Sequence, residues 1–206
     1  MKLVKSAAIV CSLIAAIAAT DTLSAHSHSM ETTASGDSND ETDRLTRAIE
    51  RNPKDAEAYV ARGNIRRERG AYSSAIADYD QAIKLDPKNA KAYSARGVAH
   101  AQWGDYEKAI ADFGETIKLD PKQKSAYNNR GFAYAYSGDY EKAIADFGET
   151  IKLEPSDGGA YNNRGNAYKD LGDLKNAESD AIKACELGVC NLARAMGLNK
   201  NVHSHH

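Results

Sequence analysis

The stretch GDYEKAIADFGETIKL occupies residues 104–119, and the same sixteen letters return at residues 138–153. The two copies are offset by 34 residues. Internal self-similarity with a period of about 20 to 50 residues is typical of stacked repeat architectures, in which each unit contacts its neighbours. The chain of 206 residues is therefore predicted to be an array of similar units rather than one conventional domain.

The repeated stretch has the pattern of an amphipathic helix. Its apolar residues lie three or four positions apart, so they share one face of a helix: Tyr106, Ala109, Ile110, Phe113 and Ile117. A Gly-Asp pair before this helix favours a turn, and the Asp-Pro or Glu-Pro after it disfavours further helix. Each unit is therefore predicted to be a helical hairpin.

Four units follow the period, over residues 56–89, 90–123, 124–157 and 158–189. The fourth position is tyrosine, the eighth glycine and the twentieth alanine in every unit, whereas the twenty-fourth is aromatic in the first three units only. These columns are Tyr59, Tyr93, Tyr127 and Tyr161; Gly63, Gly97, Gly131 and Gly165; Ala75, Ala109, Ala143 and Ala177; and Tyr79, Phe113, Phe147 and Ala181. Small residues at the eighth and twentieth positions would let two helices approach closely.

This pattern resembles the tetratricopeptide repeat family over residues 56 to about 187. The resemblance implies an all-α, right-handed superhelical solenoid whose first helices line a concave groove. Four hairpins are expected, with a lone capping helix over 41–53 and a closing helix over 190–198. The fourth unit has Ala181 in place of the aromatic residue and no closing proline, so it is expected to be a terminal variant.

The first 25 residues have the layout of a secretory signal peptide. Lys2 and Lys5 precede an uncharged apolar run at residues 7–19, which is shorter than the roughly 20 residues that span a bilayer. Cleavage after Ala25 is expected, and cleavage after Ala18 or Ala19 stays open. We therefore expect export to the periplasm or the medium, with no membrane span after cleavage.

Two polar segments are expected to be disordered. Residues 26–40 and 199–206 hold few apolar residues and are expected to be a disordered leader and a disordered tail.

Two cysteines lie near the end of the fourth unit. Cys185 and Cys190 are five positions apart, so a short disulfide is expected in an oxidising compartment. Two packed thiols are the alternative.

The net charge and the absence of several motifs argue against some classes of function. The net charge of −2 favours neither nucleic acid nor an anionic membrane as a partner. The sequence holds no glycine-rich phosphate loop, nucleophile elbow or His-Glu helix motif. Neither a cofactor nor a catalytic activity is therefore expected.

Two charged columns recur as strictly as the apolar ones. Arginine occupies the seventh position of each unit and aspartate the twenty-third. We expect each arginine to pair with the aspartate of its own hairpin, because a guanidinium suits bidentate contact with a carboxylate. The expected pairs are Arg62 with Asp78, Arg96 with Asp112, Arg130 with Asp146, and Arg164 with Asp180. The alternative is an arginine ladder that binds acidic ligands.

The resemblance also implies which positions face the groove: the fifth, sixth, ninth, twelfth and thirteenth of each unit. The candidate groove residues are Asn64, Arg67, Val98, Asn128, Asn129, Phe132, Tyr136, Asn162, Asn163, Asn166 and Lys169. An amide both donates and accepts hydrogen bonds, so stacked asparagines could hold a peptide backbone. The alternative is that they solvate an exposed helix face. The fifth position holds no lysine, which argues against the family's clamp for a terminal carboxylate.

The sequence thus predicts an exported adaptor that binds an unidentified protein or peptide and assists the assembly of a cell-envelope complex. Two other hypotheses stay open. His26 and His28 lie near the predicted mature amino terminus and could bind copper or nickel, with further histidines at residues 203, 205 and 206. The imperfect end units could also support a homo-oligomer.

Overall fold

The computed structural model describes residues 34–198, which form ten helices. The chain divides into two compact units, Met1–Trp103 and Gly104–His206, and each is described by itself. The first unit contains α1 (Ala34–Arg51), α2 (Ala56–Glu68), α3 (Tyr72–Leu85) and α4 (Ala90–Trp103). The second contains α5 (Tyr106–Leu119), α6 (Lys124–Tyr136), α7 (Tyr140–Leu153), α8 (Gly158–Leu171), α9 (Leu174–Glu186) and α10 (Asn191–Ala195).

Consecutive helices pack against each other within each unit. In the first unit α1 contacts α2, α2 contacts α3, and α3 contacts α4. In the second unit the same sequence of contacts runs from α5 to α9, and α10 packs on both α9 and α8. The predicted all-α architecture of consecutive hairpins is confirmed. The first helices α2, α4, α6 and α8 begin at the first residues of the four predicted repeats, Ala56, Ala90, Lys124 and Gly158.

The Gly-Asp pairs form the turns within the hairpins. Gly172, for example, ends α8 with a φ of 93°, a left-handed conformation that glycine adopts without steric cost. Asp173 then caps α9, because its carboxylate accepts a hydrogen bond from the backbone N–H of Asn176 at 3.2 Å. Two adjacent residues thus stop one helix and start the next, which explains why the pair recurs with the repeat.

Hairpins close through contact between a bare glycine and a large side chain. In the first unit, a Cβ atom added at Gly63 would lie 2.6 Å from Cε1 of Tyr79. In the second unit, a Cβ atom at Gly131 would lie 2.9 Å from Cε1 of Phe147. Both rings are fully buried. We call this recess beside the eighth-position glycine the notch, and any side chain at that position would displace the ring that fills it.

The fourth hairpin fills its notch with a residue from α10. Ala181 stands where the other units have an aromatic residue, and it cannot reach across to Gly165. Leu192 takes that place: its Cδ2 atom would lie 2.6 Å from a Cβ atom at Gly165, and its side chain is only 2% exposed. Ala181, Leu192 and Ala193 form one buried cluster. The departure of the fourth unit from the repeat pattern therefore has a structural compensation elsewhere in the chain.

The ends of the described chain differ from the sequence-based boundaries. Helix α1 begins at Ala34, so residues 34–40, which the sequence predicted to be disordered, are helical. Once a helix has nucleated, each added residue gains a hydrogen bond at little further cost, so a polar segment can prolong it. Helix α10 is shorter than the predicted closing helix over 190–198. The predicted signal peptide, residues 26–33 and the tail over 199–206 lie outside the described residues.

Across residues 34–198, no helix is both long and apolar enough to cross a bilayer.

A substitution at Ala143 tests the packing within the third hairpin. Ala143 on α7 is fully buried, so a leucine there has no room without displacing neighbours. We expect Ala143→Leu to lower the free energy of unfolding by about 1 to 3 kcal/mol. Urea denaturation followed by circular dichroism measures this change, with the exposed Ala71→Leu substitution as a control. An unchanged midpoint for Ala143→Leu would contradict this placement.

Candidate functional site

The charged columns form bidentate pairs within hairpins. Arg130 donates through Nε and Nη2 to the two carboxylate oxygens of Asp146, both at 2.8 Å. Arg164 and Asp180 have the same geometry at 2.8 Å. Arg62 and Asp78 pair at 3.0 and 2.7 Å. These arginines connect the first helix of a hairpin to the second, as expected for a structural ion pair.

Tyrosine rings flank the paired arginines. The guanidinium carbon of Arg130 lies 5.9 Å from the ring centres of both Tyr127 and Tyr134. Arg164 lies 5.6 Å from Tyr161 and 5.9 Å from Tyr168. The fourth-position tyrosine column thus covers the arginine column, and contact with an aromatic face favours a cation. The hydrogen bonds to Asp146 raise the pKa of Arg130, although partial burial opposes this shift.

The first two repeats vary this arrangement. In the first, Arg66 adds a second cation to Asp78 at 2.8 Å, which sequence reasoning missed. Arg62 also donates to the hydroxyl of Thr46 at 3.1 Å and so connects α2 to the capping helix α1. In the second repeat, Arg96 donates to Asp80 at 2.5 Å. Its predicted partner Asp112 belongs to the other compact unit, and that pairing stays a prediction.

In the first unit, the candidate groove residues have internal partners. The hydroxyl of Tyr79 donates to Oδ1 of Asn64 at 2.8 Å, so this amide supports a core ring. Arg67 donates to the side chain of Gln102 at 3.4 Å and lies 3.7 Å from Glu68. Val98 is half-buried. Asn64 therefore has a packing role that the sequence pattern did not reveal, because its partner lies on the second helix of the hairpin.

In the second unit, the two aromatic candidates differ in their surroundings. Phe132 is 6% exposed and packs edge-to-face on Phe147 with 5.3 Å between ring centres, so it belongs to the core and offers a ligand little surface. Tyr136 is half-buried and stacks on Tyr106, with ring centres 5.1 Å apart and planes 5° from parallel. Burial, and to a smaller extent Tyr106, raises the pKa of Tyr136. Sequence reasoning missed Tyr106, although its place in the apolar stripe was the available signal.

Two of the predicted groove asparagines on α8 bind the protein itself. Oδ1 of Asn162 accepts a hydrogen bond from the backbone N–H of Leu192 at 3.2 Å and so anchors α10. Asn166 donates to the carbonyl of Asn162 in its own helix at 2.9 Å, and the exposed Lys169 lies 3.5 Å from its amide oxygen. The amide oxygen of Asn162 therefore binds α10 rather than a ligand, because α10 folds back onto α8.

The other three candidate asparagines lie on α6 and α8, and we call this group the amide face: Asn128, Asn129 and Asn163. Asn163 donates through Nδ2 to Oδ1 of Asn128 at 3.2 Å, which joins the two first helices. Asn129 is only 6% exposed, and its Oδ1 has no hydrogen-bond partner among the described residues. A buried acceptor without a partner is rare in native proteins and calls for an explanation.

The remaining candidates are a disulfide and a metal site. Cys185 and Cys190 are joined by a disulfide between the end of α9 and the start of α10. Within residues 34–198, no group of three or more histidine, cysteine or acidic side chains is placed to hold a metal ion. His26 and His28, the proposed copper or nickel ligands, lie outside the described residues.

The hairpins and their columns agree with comparisons to known proteins. A TPR repeat model matches residues 63–104, and tetratricopeptide repeat models match residues 90–123, 125–157 and 158–187. The chain belongs to the tetratricopeptide repeat family. The comparison with curated proteins finds no significant match to this repeat protein.

Several solved structures share the tetratricopeptide fold. A crystal structure of MamA is 24% identical and aligns over 77% of this chain and 96% of its own, with a TM-score of 0.72. MamA from Desulfovibrio magneticus RS-1 is 22% identical over 74% of this chain and 86% of its own, with a TM-score of 0.71. The first TPR of Spaghetti (RPAP3), bound to the HSP90 peptide SRMEEVD, is 26% identical over 57% of this chain and 93% of its own, with a TM-score of 0.55.

Removal of an arginine tests whether its column is structural. The side chains of Arg130 and Asp146 are 22% and 7% exposed, so Arg130→Ala would leave the buried carboxylate of Asp146 without its cation. We expect the free energy of unfolding to fall by about 3 kcal/mol, the low end for a broken buried pair, because the guanidinium is partly exposed. The exposed pair of Lys152 and Glu149 provides the control: Lys152→Ala should cost less than about 1 kcal/mol. A stable Arg130→Ala protein that had lost only ligand binding would instead support an arginine ladder.

Alkaline titration tests the burial of the Tyr79 hydroxyl. Burial raises the pKa of Tyr79 from 10.0 to about 12, while Arg67 opposes the shift. Above pH 10 the unfolded chain ionises this group and the folded chain does not. The free energy of unfolding should therefore fall by about 1.4 kcal/mol per pH unit between pH 10 and about 12.

The matched control for this titration is Tyr79→Phe, which removes the ionisable group and keeps the ring. The other tyrosines contribute equally to both proteins, so the difference between the two stability curves isolates Tyr79. Parallel curves from urea unfolding between pH 9 and pH 12 would show that the hydroxyl is not protected from water.

Proposed function

We propose that this protein is an exported, non-catalytic adaptor whose amide face binds an extended segment of another protein. Membership in the tetratricopeptide repeat family supports a protein-interaction role. The signal-like first 25 residues support export, and an exported adaptor of this kind would assist the assembly of a cell-envelope complex.

The observation that carries the proposal is the hydrogen-bonded pair of Asn128 and Asn163, which joins the first helices α6 and α8. Both side chains are half-buried, so their remaining donors and acceptors stay within reach of a peptide backbone. The amide oxygen of Asn129 is buried, so it does not itself contact a ligand.

The stacked pair of Tyr106 and Tyr136 is the second feature of this compact unit that supports a peptide ligand. Both rings are half-buried, so each keeps part of its surface accessible. Tyrosine provides a large contact area at a low cost in conformational entropy, which makes it frequent at binding surfaces. Backbone recognition by amides combined with apolar contact by tyrosine suits an extended segment of low charge.

A solved structure supports a peptide as the ligand, and its comparison with this chain indicates which part of a protein is bound. The first TPR of Spaghetti (RPAP3) is bound to an HSP90 peptide, SRMEEVD. In the present chain the fifth position of the repeats holds Val60, Ser94, Asn128 and Asn162, with no cation to bind a terminal carboxylate. We therefore propose that the ligand is an internal segment of its protein rather than a free carboxyl terminus.

Selection of random phage-displayed peptides on the wild-type chain, followed by titration of the selected peptides, tests the proposal. We expect Asn163→Ala to weaken binding about fivefold to tenfold, the value of one hydrogen bond. Asn176→Ala is the matched control, because Asn176 is exposed on a second helix and bonds only locally to Asp173. Equal affinity of wild type and Asn163→Ala for every selected peptide would reject the amide face as the binding surface.

A further inference from the structure

Helix α10 supplies the side chain that the fourth hairpin lacks. Tyr79 and Phe147 fill the notches of their own hairpins from the second helix, whereas Leu192 fills the notch at Gly165 from a separate element. Helix α10 has five residues, and an isolated helix needs about 12 to 15 residues to be stable in water. Its structure therefore depends on its attachments to α8 and α9.

Besides the burial of Ala193 against Ala181, three attachments hold this helix. The side chain of Leu192 occupies the notch, and the backbone N–H of Leu192 donates to Oδ1 of Asn162 at 3.2 Å. The third attachment is the covalent bond between Cys185 and Cys190. The first two attachments are non-covalent, so α10 of a second copy of the chain could make them equally well.

The disulfide spans the hinge between α9 and α10. Gly188 turns the chain with a φ of 90°, and Leu187 and Val189 cover Gly158, where a Cβ atom would lie 2.9 and 3.1 Å from their side chains. The bond holds the Cα atoms of Cys185 and Cys190 4.1 Å apart. The same five-residue separation could reach about 16 Å if the chain were extended. The hinge therefore cannot open while the disulfide is intact.

We propose that α10 is an exchangeable plug locked by the Cys185–Cys190 disulfide, and that reduction of this bond lets the plug of one copy fill the notch of a second copy. The occupant follows from complementarity: the notch at Gly165 and the amide oxygen of Asn162 match Leu192 and its N–H, and every copy of the chain carries this helix. Exchange of an identical element is a low-cost route to a dimer, because contacts broken within one copy are remade in the other.

The unlocking step is a thiol–disulfide exchange with a dithiol reductant. A thiolate of the reductant attacks one sulfur of the Cys185–Cys190 bond and forms a mixed disulfide, releasing the other sulfur as a thiolate that takes up a proton. The second thiol of the reductant then displaces the remaining cysteine. Two electrons and two protons pass to Cys185 and Cys190, and the reductant becomes a disulfide. Both cysteines are half-buried, so each keeps some contact with solvent.

Concentration decides between the closed copy and the exchanged dimer. The short hinge presents the plug to its own notch at an effective concentration in the millimolar range. Exchange therefore requires both reduction and a protein concentration of about 1 mM. Light scattering at that concentration should give a monomer for the oxidised chain and a dimer after treatment with dithiothreitol.

Single-cysteine variants provide the sharper test, in a Cys11→Ser background that leaves one thiol in each chain. Cys185→Ala retains Cys190, and Cys190→Ala retains Cys185. Only exchange of α10 places the Cys190 thiol of one copy beside the Cys185 thiol of another. After oxidation with diamide, an equal mixture should yield at least about tenfold more disulfide-linked dimer than either variant alone. Addition of Leu192→Ala to both variants should abolish that excess, because the notch is then not filled.

Two results would overturn the proposal. The first is a mixture that cross-links no more than its separate components, with circular dichroism showing both variants folded. The second is a reduced wild-type chain that stays monomeric at about 1 mM. Faster tryptic cleavage at Arg194 in a chain that remains monomeric would show release of the plug without exchange, and would also reject the dimer.

Discussion

Close contact between a glycine backbone on one helix and a large side chain from another is the constraint on which the hairpins depend. A Cβ atom at Gly63, Gly131 or Gly165 would lie between 2.6 and 2.9 Å from the side chain that fills the notch. Such an approach is available only to glycine, and it brings the helices close enough for alanines such as Ala75 and Ala143 to be fully buried. The helices carry few large apolar residues, so shape complementarity at these notches provides much of the core.

The arginine and aspartate columns follow from the same close packing. Helices that approach on small residues bring the seventh-position arginine within bidentate reach of an aspartate on the second helix. The tyrosine rings beside each arginine then shield the pair from water. This arrangement uses the charged columns inside the protein, which accounts for their strict repetition without any ligand. A buried ion pair contributes little net stability, but its geometry fixes how two helices are aligned.

The identical stretches that begin at Gly104 and Gly138 form the turns and the second helices α5 and α7. The identity of the two stretches therefore reflects the same helix packing in both repeats. The first helices α4 and α6 differ instead: Ala95, Val98 and Gln102 of the second repeat are replaced by Asn129, Phe132 and Tyr136 at the same positions of the third. The amide face and the stacked tyrosines arise from these differences, so the surface that we propose for ligand binding is a local feature of the second compact unit.

The sequence alone determined the period, the hairpins and the starts of α2, α4, α6 and α8, because these follow from spacing and turn chemistry within a short segment. It also indicated the partners of Arg62, Arg130 and Arg164. It did not distinguish Asn129 from Asn162, Asn64 or Asn166, since all four occupy positions that the resemblance assigns to the groove. Tertiary structure decided that Asn129 is buried with an unpaired acceptor while Asn162 holds α10, and that Leu192 replaces the aromatic residue absent at Ala181. A pattern places a residue on one face of a helix, but which atom meets that face from a distant part of the chain depends on packing in three dimensions.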